Sequence, residues 1–367
     1  MLDFAEIKEW IALSTIEGIG PRRFVSLVEH FGSPGKVLSA SEKKLSEIPD
    51  IGKTLTFNIK KGANWELLEK QIALLKKHQF DFLIYKDKLY PQNLKNIFDF
   101  PPFLFVKGKI TKEDKNSIAI VGTRIASHYG KSIAKSIAKE LSQMKITIVS
   151  GMARGIDSVG HLTALEQRGR TIAVFGSGLD LVYPKEHEKL AKKISENGAL
   201  LSEFLMGTKP LAENFPKRNR LISGLCLGVV IVEAPKKSGA LLTARYALDQ
   251  GREVFAVPGN IGSKRSEGTN WLIKQGASLV SSVDDILSEL ENVLKVHRGK
   301  IEEEKVSDLS FEEKKIFNLL SLEPSHIDSI AKKGEVGTPQ ALTVLLSLEL
   351  KGLVKQLSGK MFVKNRG

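Results

Sequence analysis

Short apolar segments alternate with amphipathic helical segments through the middle of the chain, and this alternation constrains the fold more than any other feature. Six apolar segments are typical of buried strands: "SIAIVGT", "ITIVSG", "TIAVFGSG", "ALLSEF", "LGVVIVEA" and "REVFAVPG". Segments with apolar residues at helical spacing lie between several of them, at 129–144, 159–168, 186–197 and 239–251. The alternation predicts an α/β fold with a parallel, doubly wound sheet of the Rossmann type.

The N-terminal region is predicted to be helical and internally repeated. "IEGIGPRRFVSLVEHFGS" and "LSEIPDIGKTLTFNIKKG" each place an apolar–glycine turn before a helical apolar repeat. This pattern resembles the paired helix-hairpin-helix units of SAM-like domains. Hairpin amides at a helix N-terminus can bind phosphate, but the same pattern also suits a packing or protein-contact domain. Residues 80–107 contain three prolines, which favour extended backbone.

The C-terminal region is predicted to be a separate module. The charged stretch "EEEKVSDLS" at 302–310 is a candidate linker. Residues 308–366 suggest three helices and a β-hairpin that turns at Ser358 and Gly359, which is the pattern of a winged helix. The predicted domains are therefore 1–79, 80–287 and 308–367.

Positive charge is concentrated in the middle of the chain. The 367 residues carry a net charge of +13, and residues 108–283 alone hold 26 Lys and Arg against 15 Asp and Glu. Such a surplus favours a polyanionic partner such as nucleic acid. No apolar run is long enough to span a membrane, the N-terminus does not resemble a secretory signal, and a single cysteine excludes an internal disulfide. We expect a cytoplasmic protein without membrane insertion.

The turns that follow the predicted strands are rich in Gly, Ser, Thr and Arg. They are "VGTR", "SGMARGID", "GSGLD", "FPKRNR" and "APKKSGALLTA". Ligands of open parallel sheets bind at the carboxyl ends of the strands, where glycine admits a phosphate close to the backbone and helix N-termini favour anions. Arg124, Arg154, Lys185 and the cluster at 217–220 add cations. The sequence therefore predicts a phosphate-binding edge.

Standard nucleotide and catalytic motifs are missing from these turns. "GTRIASHYGKS" has Ile125 where a P-loop needs glycine, and "GSGLDLV" has Leu181 at the third glycine of the dinucleotide fingerprint. No metal-ligand cluster or nucleophile motif is present. His161 and His187 are isolated and suit packing or surface positions, whereas Asp157 and Asp180 suit helix caps or loop braces. We expect no catalytic residue, metal or cofactor.

Seven motifs occur together in a specific order between about residues 110 and 285. They are "IAIVGTR", "SGMARGID", "GSGLDLVYPKEH", "SEF", "FPKRNRLISGL", "SGALLTARYALDQGREVFAVPGN" and "EGTNWLIKQGA". In this combination the chain resembles the DNA-processing protein A family, also called Smf. The resemblance implies a homodimer that binds single-stranded DNA without sequence preference and is not an enzyme. It also implies loading of the RecA recombinase on incoming DNA during natural transformation, with displacement of single-strand binding protein.

The resemblance and the strand-end turns together define a predicted DNA-binding set. Its members are Arg124, Ser150, Arg154, Ser177, Gly178, Lys185, Lys217, Arg218, Asn219, Arg220 and Ser238. Tyr129, Tyr183 and Phe215 lie beside the cationic turns, where they suit either base stacking or core packing. Two roles remain open for Arg218 and Arg220: direct DNA contact, or bracing of the acidic turns.

A nucleotide-processing hydrolase is the alternative function. Phosphoribohydrolases on a related fold use a P-G-G-x-G-T turn followed by a catalytic glutamate. This chain has "SGALLTA" at the comparable place, which lacks the acid.

Overall fold

In the computed structural model of the chain, residues 2–294, 309–321, 323–351 and 353–364 are described. One compact unit spans residues 1–289 and a second spans residues 290–367. Most of the predicted linker, residues 302–308, lies outside the described residues.

The first unit begins with a helical region that contains the two predicted hairpins. Its helices are α1 (Phe4–Ser14), α2 (Pro21–Phe31), α3 (Pro34–Ser39), α4 (Glu42–Ser46), α5 (Lys53–Lys61) and α6 (Trp65–His78). Gly20 and Gly52 are the N-caps of the two helices that follow the hairpins, α2 and α5. Helix α5 also contacts the first hairpin, since the Asn58 side chain donates to the carbonyl of Glu17 over 3.1 Å. The tandem helix-hairpin-helix prediction is confirmed.

A nine-stranded sheet forms the centre of this unit. Its strands are β1 (Asp81–Ile84), β2 (Phe103–Gly108), β3 (Ser117–Val121), β4 (Thr147–Ser150), β5 (Thr171–Val174), β6 (Ala199–Ser202), β7 (Gly228–Ile231), β8 (Glu253–Ala256) and β9 (Ser278–Leu279). They lie in the order β1-β2-β6-β5-β4-β3-β7-β8-β9. The run from β6 to β9 is parallel, whereas β2 pairs with both β1 and β6 antiparallel. All six predicted strands are present, and the Rossmann-like prediction is confirmed.

Helices connect the strands and cover the sheet. They are α7 (Gln92–Lys95), α8 (His128–Gln143), α9 (Ile156–Glu166), α10 (Glu188–Asn197), α11 (Asn214–Leu225), α12 (Gly239–Asp249), α13 (Glu267–Lys274) and α14 (Val283–Glu289). Helices α8, α9 and α10 pack in sequence against one another, and α11 packs against α12. Strands β3 to β7 are buried along their whole length because helices cover them, which explains their uninterrupted apolar sequences.

One predicted turn is a helix. The segment "FPKRNRLISGL" forms nearly all of α11 and does not form a strand-end turn. Pro216 is tolerated because it lies in the first helical turn, where the amide that proline lacks has no intrahelical partner. The cations of this segment therefore project from a helix that packs beneath β3, β4 and β5.

The helical region and the sheet share one hydrophobic core. Trp10 lies 5.3 Å from Phe24 between ring centroids, and Phe24 lies 6.4 Å from Phe103 on β2. Phe103 in turn stacks on Phe82 of β1 at 4.7 Å. The first two strands thus join the helices to the parallel sheet.

The second unit contains the predicted winged helix. Its elements are α15 (Glu291–Leu294), α16 (Phe311–Leu319), β10 (Ser325–His326), α17 (Ile327–Gly334), α18 (Thr338–Leu350), β11 (Val354–Leu357) and β12 (Met361–Lys364). The predicted hairpin is β11–β12, with Gly359 at a φ of +78° in its turn. The sequence pattern did not reveal β10, a two-residue strand that pairs with β12.

Candidate nucleic-acid interface

The carboxyl ends of the parallel strands meet at one edge of the sheet, and β3 and β7 are the neighbours at which the strand order reverses. From β3 the chain continues through β4, β5 and β6 on one side, and from β7 through β8 and β9 on the other. Doubly wound sheets bind ligands outside such a reversal. We call this surface the carboxyl edge and define it as residues 122–127, 151–155, 175–187, 214–218 and 232–238.

Four cations of the predicted set are exposed on the carboxyl edge. Arg124 follows β3, Arg154 follows β4, Lys185 follows β5 and Lys217 lies in the first turns of α11. The Arg154 guanidinium pairs with Glu186 at 2.5 Å, but both side chains are more than half exposed. Because exposed ion pairs contribute little stability, a phosphate can replace Glu186 at low cost.

Two aromatic rings lie close to Arg124 on this edge. The Arg124 guanidinium carbon lies 5.3 Å from the centroid of the Phe215 ring, and that ring lies 5.9 Å from Tyr183. A Cβ on Gly176 would come within 2.8 Å of Phe215 Cδ1, so glycine is needed for this close approach. Cations around partly exposed rings can hold phosphates and stack bases at the same time.

Arg218 braces the edge from within. Its side chain is buried and donates to the carbonyls of Gly151 and Val174, at 2.5 and 2.7 Å, which lie at the carboxyl ends of β4 and β5. A Cβ on Gly151 would collide with the guanidinium at 2.6 Å. Burial lowers the pKa of Arg218 to about 10, so the group remains charged at neutral pH.

Asp157 holds the same turn from the other side. Its carboxylate accepts hydrogen bonds from the amides of Gly151 and Ala153, at 3.1 and 3.3 Å, as expected of a loop brace. Burial raises the pKa of Asp157, while the charge of Arg218 and the two amides oppose that rise. The β4 turn is therefore fixed by buried charge on both sides.

Arg220 braces a different turn. It forms an ion pair with Glu203 just after β6, and its Nη1 donates to the carbonyl of Asp99 over 2.7 Å. Burial raises the pKa of Glu203, and the Arg220 charge opposes that rise. The Asp180 carboxylate is held by neither Arg218 nor Arg220. It accepts a hydrogen bond from the amide of Gly207 over 2.9 Å.

The other predicted polar residues hold the backbone in place. The buried hydroxyls of Ser150 and Ser177 donate to the carbonyls of Ile120 and Leu181 over 2.7 and 2.8 Å. The buried Gly178 donates its amide to the carbonyl of Thr208 over 2.9 Å.

Asn219 and Ser238 position the start of α12. Buried Asn219 donates to the carbonyl of Gly239 at 3.2 Å, and half-buried Ser238 caps α12 by accepting the amide of Ala240 at 3.2 Å. The structure therefore divides the predicted set into exposed cations on the carboxyl edge and buried braces, with Arg220 at a different turn from Arg218.

Three further features on or beside the carboxyl edge lay outside the predicted set. Lys236 and Lys237 are exposed between β7 and α12, and their presence in "APKKSG" was a readable signal. Buried Glu233, two residues beyond β7, accepts hydrogen bonds from the backbone amide and the hydroxyl of Ser127. Tyr129 is half exposed and donates its hydroxyl to the carbonyl of Pro258 over 2.9 Å.

The two histidines are structural. His161 is fully buried, its Nδ1 lies 2.7 Å from the Thr171 hydroxyl, and burial lowers its pKa to about 3. His187 Nδ1 lies 2.9 Å from the carbonyl of Met152. Within the described ranges, no group of three His, Cys, Asp or Glu side chains is arranged to hold a metal ion. The described helices also include none with the length and apolarity that crossing a bilayer requires.

Three family models match the chain in the order of its structural regions. A SAM-like helix-hairpin-helix tandem matches residues 11–64, DNA recombination-mediator protein A matches 81–291, and the DprA winged helix domain matches 302–360.

Individual relatives are similar over much of the chain. Protein Smf of Escherichia coli is 40% identical over 297 residues, which cover 80% of this chain and 79% of the relative. DNA processing protein DprA of Streptococcus pneumoniae is 44% identical over 207 residues, covering 56% of this chain and 72% of the relative.

Solved structures show the same similarity in three dimensions. The X-ray structure of DNA processing protein A from Streptococcus pneumoniae matches with a TM-score of 0.65 and 34% identity, covering 78% of this chain and 98% of that one. DNA processing protein A from Helicobacter pylori, solved for its single-stranded DNA binding mode, matches with a TM-score of 0.52 and 30% identity over 58% of this chain and 97% of that one. The chain therefore belongs to the DNA recombination-mediator protein A family, whose members include the Smf and DNA-processing A proteins.

Proposed function

We propose that this protein binds single-stranded DNA, without sequence preference, along the carboxyl edge. The observation that carries the proposal is the pair of rings, Phe215 and Tyr183, lying beside the exposed cation Arg124. Lys185 and Lys217 are further exposed cations of the same edge. A flexible single strand can place its phosphates on the cations while its bases stack on the rings. The single-stranded DNA binding mode named for the Helicobacter pylori relative supports this choice.

The sheet is a better candidate for the DNA site than the winged helix. The last helix of that module, α18, contains neither lysine nor arginine, and its exposed residues include Leu342, Leu346 and Leu350. A helix that enters a DNA groove needs cations near the phosphates. We therefore divide the chain by role into 1–79, 80–287 and 308–367, with DNA on the middle region.

The family's name as a recombination mediator supports a wider role. We propose that the protein acts in the cytoplasm as a homodimer that loads RecA on incoming DNA during natural transformation and displaces single-strand binding protein. Exposed apolar side chains at Leu248, Ile261 and Trp271 favour residues 240–283 as the dimer contact. In this role the protein binds DNA and catalyses no reaction on it.

Fluorescence anisotropy tests the DNA site directly. Labelled single-stranded and double-stranded oligonucleotides are titrated at two salt concentrations with wild type, Arg124→Glu and Lys185→Glu. We expect tighter binding of the single strand, steep weakening by salt, and a loss of about tenfold or more in each variant.

Lys139→Glu provides a matched control, because it makes the same charge change about 16 Å along α8 from the helix start. Single-strand affinity that is unchanged in both edge variants, or reduced equally by the control, would overturn the site. Release of free base from nucleoside monophosphates would support the hydrolase alternative. RecA assembly on DNA coated with single-strand binding protein, with and without this protein, tests the loading role.

A further inference from the structure

We infer that Glu233 occupies the phosphate position of the fold and thereby excludes free nucleotides from the carboxyl edge. Glu233 lies two residues beyond the end of β7 and is 3% exposed. Its Oε2 accepts the backbone amide of Ser127 at 2.9 Å, and its Oε1 accepts the Ser127 hydroxyl at 2.5 Å. Both bonds fix the carboxylate at the start of α8.

This position is the one where doubly wound folds hold a phosphate. Ser127 is the N-cap of α8, the helix that follows β3, and β3 is one of the two strands at which the strand order reverses. Free amides and the partial positive charge of a helix N-terminus bind anions there. In this chain the Ser127 amide donates to the Glu233 carboxylate, and the Gly130 amide donates to the Ser127 hydroxyl over 3.0 Å. The carboxylate thus uses donors that a phosphate would need.

The contact is too tight to admit a ligand between helix and carboxylate. A Cβ on Gly130 would lie 2.4 Å from Glu233 Oε2. The Thr123 amide also donates to the Glu233 carbonyl over 2.7 Å, which fixes the backbone of the acid. The carboxylate therefore lies at the N-terminus of α8, where the partial positive charge of the helix favours an anion.

The buried Glu233 carboxylate limits the class of ligand that the carboxyl edge accepts. A free nucleotide would have to displace the buried carboxylate and overcome its negative charge. A single strand of DNA instead binds exposed cations outside this position, such as Arg124 and Lys185. Each of these contacts is weak, but many of them act together. The binding of DNA to these cations rests on the proposed DNA site, whereas the exclusion of nucleotides does not.

Titration calorimetry with pyrophosphate and with ADP, in the absence of DNA, tests the exclusion. We expect no saturable binding to wild type and a gain of about tenfold or more in Glu233→Ala. Gly130→Ala is a second route to the same result, because its methyl group displaces the carboxylate while the acid remains. Glu213→Ala is the matched control: it removes one negative charge from another helix start, where the acid makes no capping bond.

The inference is overturned if wild type binds pyrophosphate as tightly as the variants do. It is also overturned if folded Glu233→Ala and Gly130→Ala gain nothing, or if Glu213→Ala gains as much. Circular dichroism shows whether each variant folds. If Glu233→Ala does not fold, the pyrophosphate binding of Gly130→Ala decides the test. Since no DNA is present, each of these outcomes is independent of single-strand binding.

Discussion

The side-chain amide of Gln71 on α6 makes two hydrogen bonds with the backbone of Met206 beyond β6. Gln71 Nε2 donates to the Met206 carbonyl over 3.0 Å, and the Met206 amide donates to Gln71 Oε1 over 2.9 Å. Gln71 is 1% exposed. A helix of the N-terminal region thereby holds a loop that leads towards α11.

Gln71→Leu should destabilise the first unit by about 2 to 4 kcal/mol, because it leaves a buried amide and a buried carbonyl without partners. Chemical denaturation measures the loss, and hydrogen exchange at the Met206 amide locates it. Lys70→Leu, on the exposed side of the same helix, should change stability by less than about 0.5 kcal/mol. Equal effects of the two substitutions would contradict the docking role of Gln71.

Substitutions at two neighbouring cations on α11 should distinguish DNA contact from structural support. Lys217→Ala should weaken single-strand binding about threefold and leave unfolding unchanged, because the side chain is exposed. Arg218→Ala should cost about 3 kcal/mol of stability, because two buried carbonyls lose a charged donor. Anisotropy and thermal melting of both variants give the two readouts. A stable Arg218→Ala protein that fails to bind DNA would instead assign Arg218 to direct contact.

Removal of one partner from the Arg220–Glu203 pair should cost more than removal of both. Arg220→Met leaves a buried carboxylate unpaired and should lose about 3 to 5 kcal/mol. Adding Glu203→Leu should recover most of that loss, because no buried charge remains. Denaturation of the single and double variants completes the cycle. Additive losses would show that the two side chains do not interact.

The winged helix should lose stability in acid through Glu313. Its carboxylate on α16 accepts from Lys351 and from the Ser347 hydroxyl of α18, and these bonds, led by that of Lys351, lower the pKa of Glu313 to about 2 from its ordinary 4.5. A lowered pKa stabilises the fold above pH 4.5, and this contribution declines as pH falls towards 2. Glu313→Gln should therefore increase hydrogen exchange of α16 and α18 at pH 7 and have little effect near pH 2. An equal effect at both pH values would exclude the ionised carboxylate as the cause.

Periodicity predicted most of the fold because the relevant signal is local. The six apolar strands and the helices between them follow from spacing within about ten residues. The helix at α11 was missed because Pro216 and the adjacent cations resemble a polar turn. The antiparallel pairing of β2 with β6 could not be predicted either, since it joins segments about 95 residues apart.

For the candidate site, the sequence did not indicate which of the predicted residues are buried. A strand-end turn or a neighbouring cation is visible in the sequence, whereas burial is decided by distant partners. The buried Arg218 guanidinium donates to the carbonyls of Gly151 and Val174, which lie 67 and 44 residues earlier in the chain. Glu233 finds Ser127 across 106 residues, and nothing in either local sequence indicates that contact.

The antiparallel strand β2 has a consequence for any attempt to shorten the protein. It covers the flank of β6, whose backbone groups would otherwise be open to strands of other molecules. A chain that begins at residue 109 would lack this cover and is expected to aggregate even if the side chains proposed to contact DNA are intact. A chain that begins at Asp81, where both β1 and the family match start, keeps the cover. A chain long enough to hold the proposed DNA contacts can therefore still be too short to cover β6.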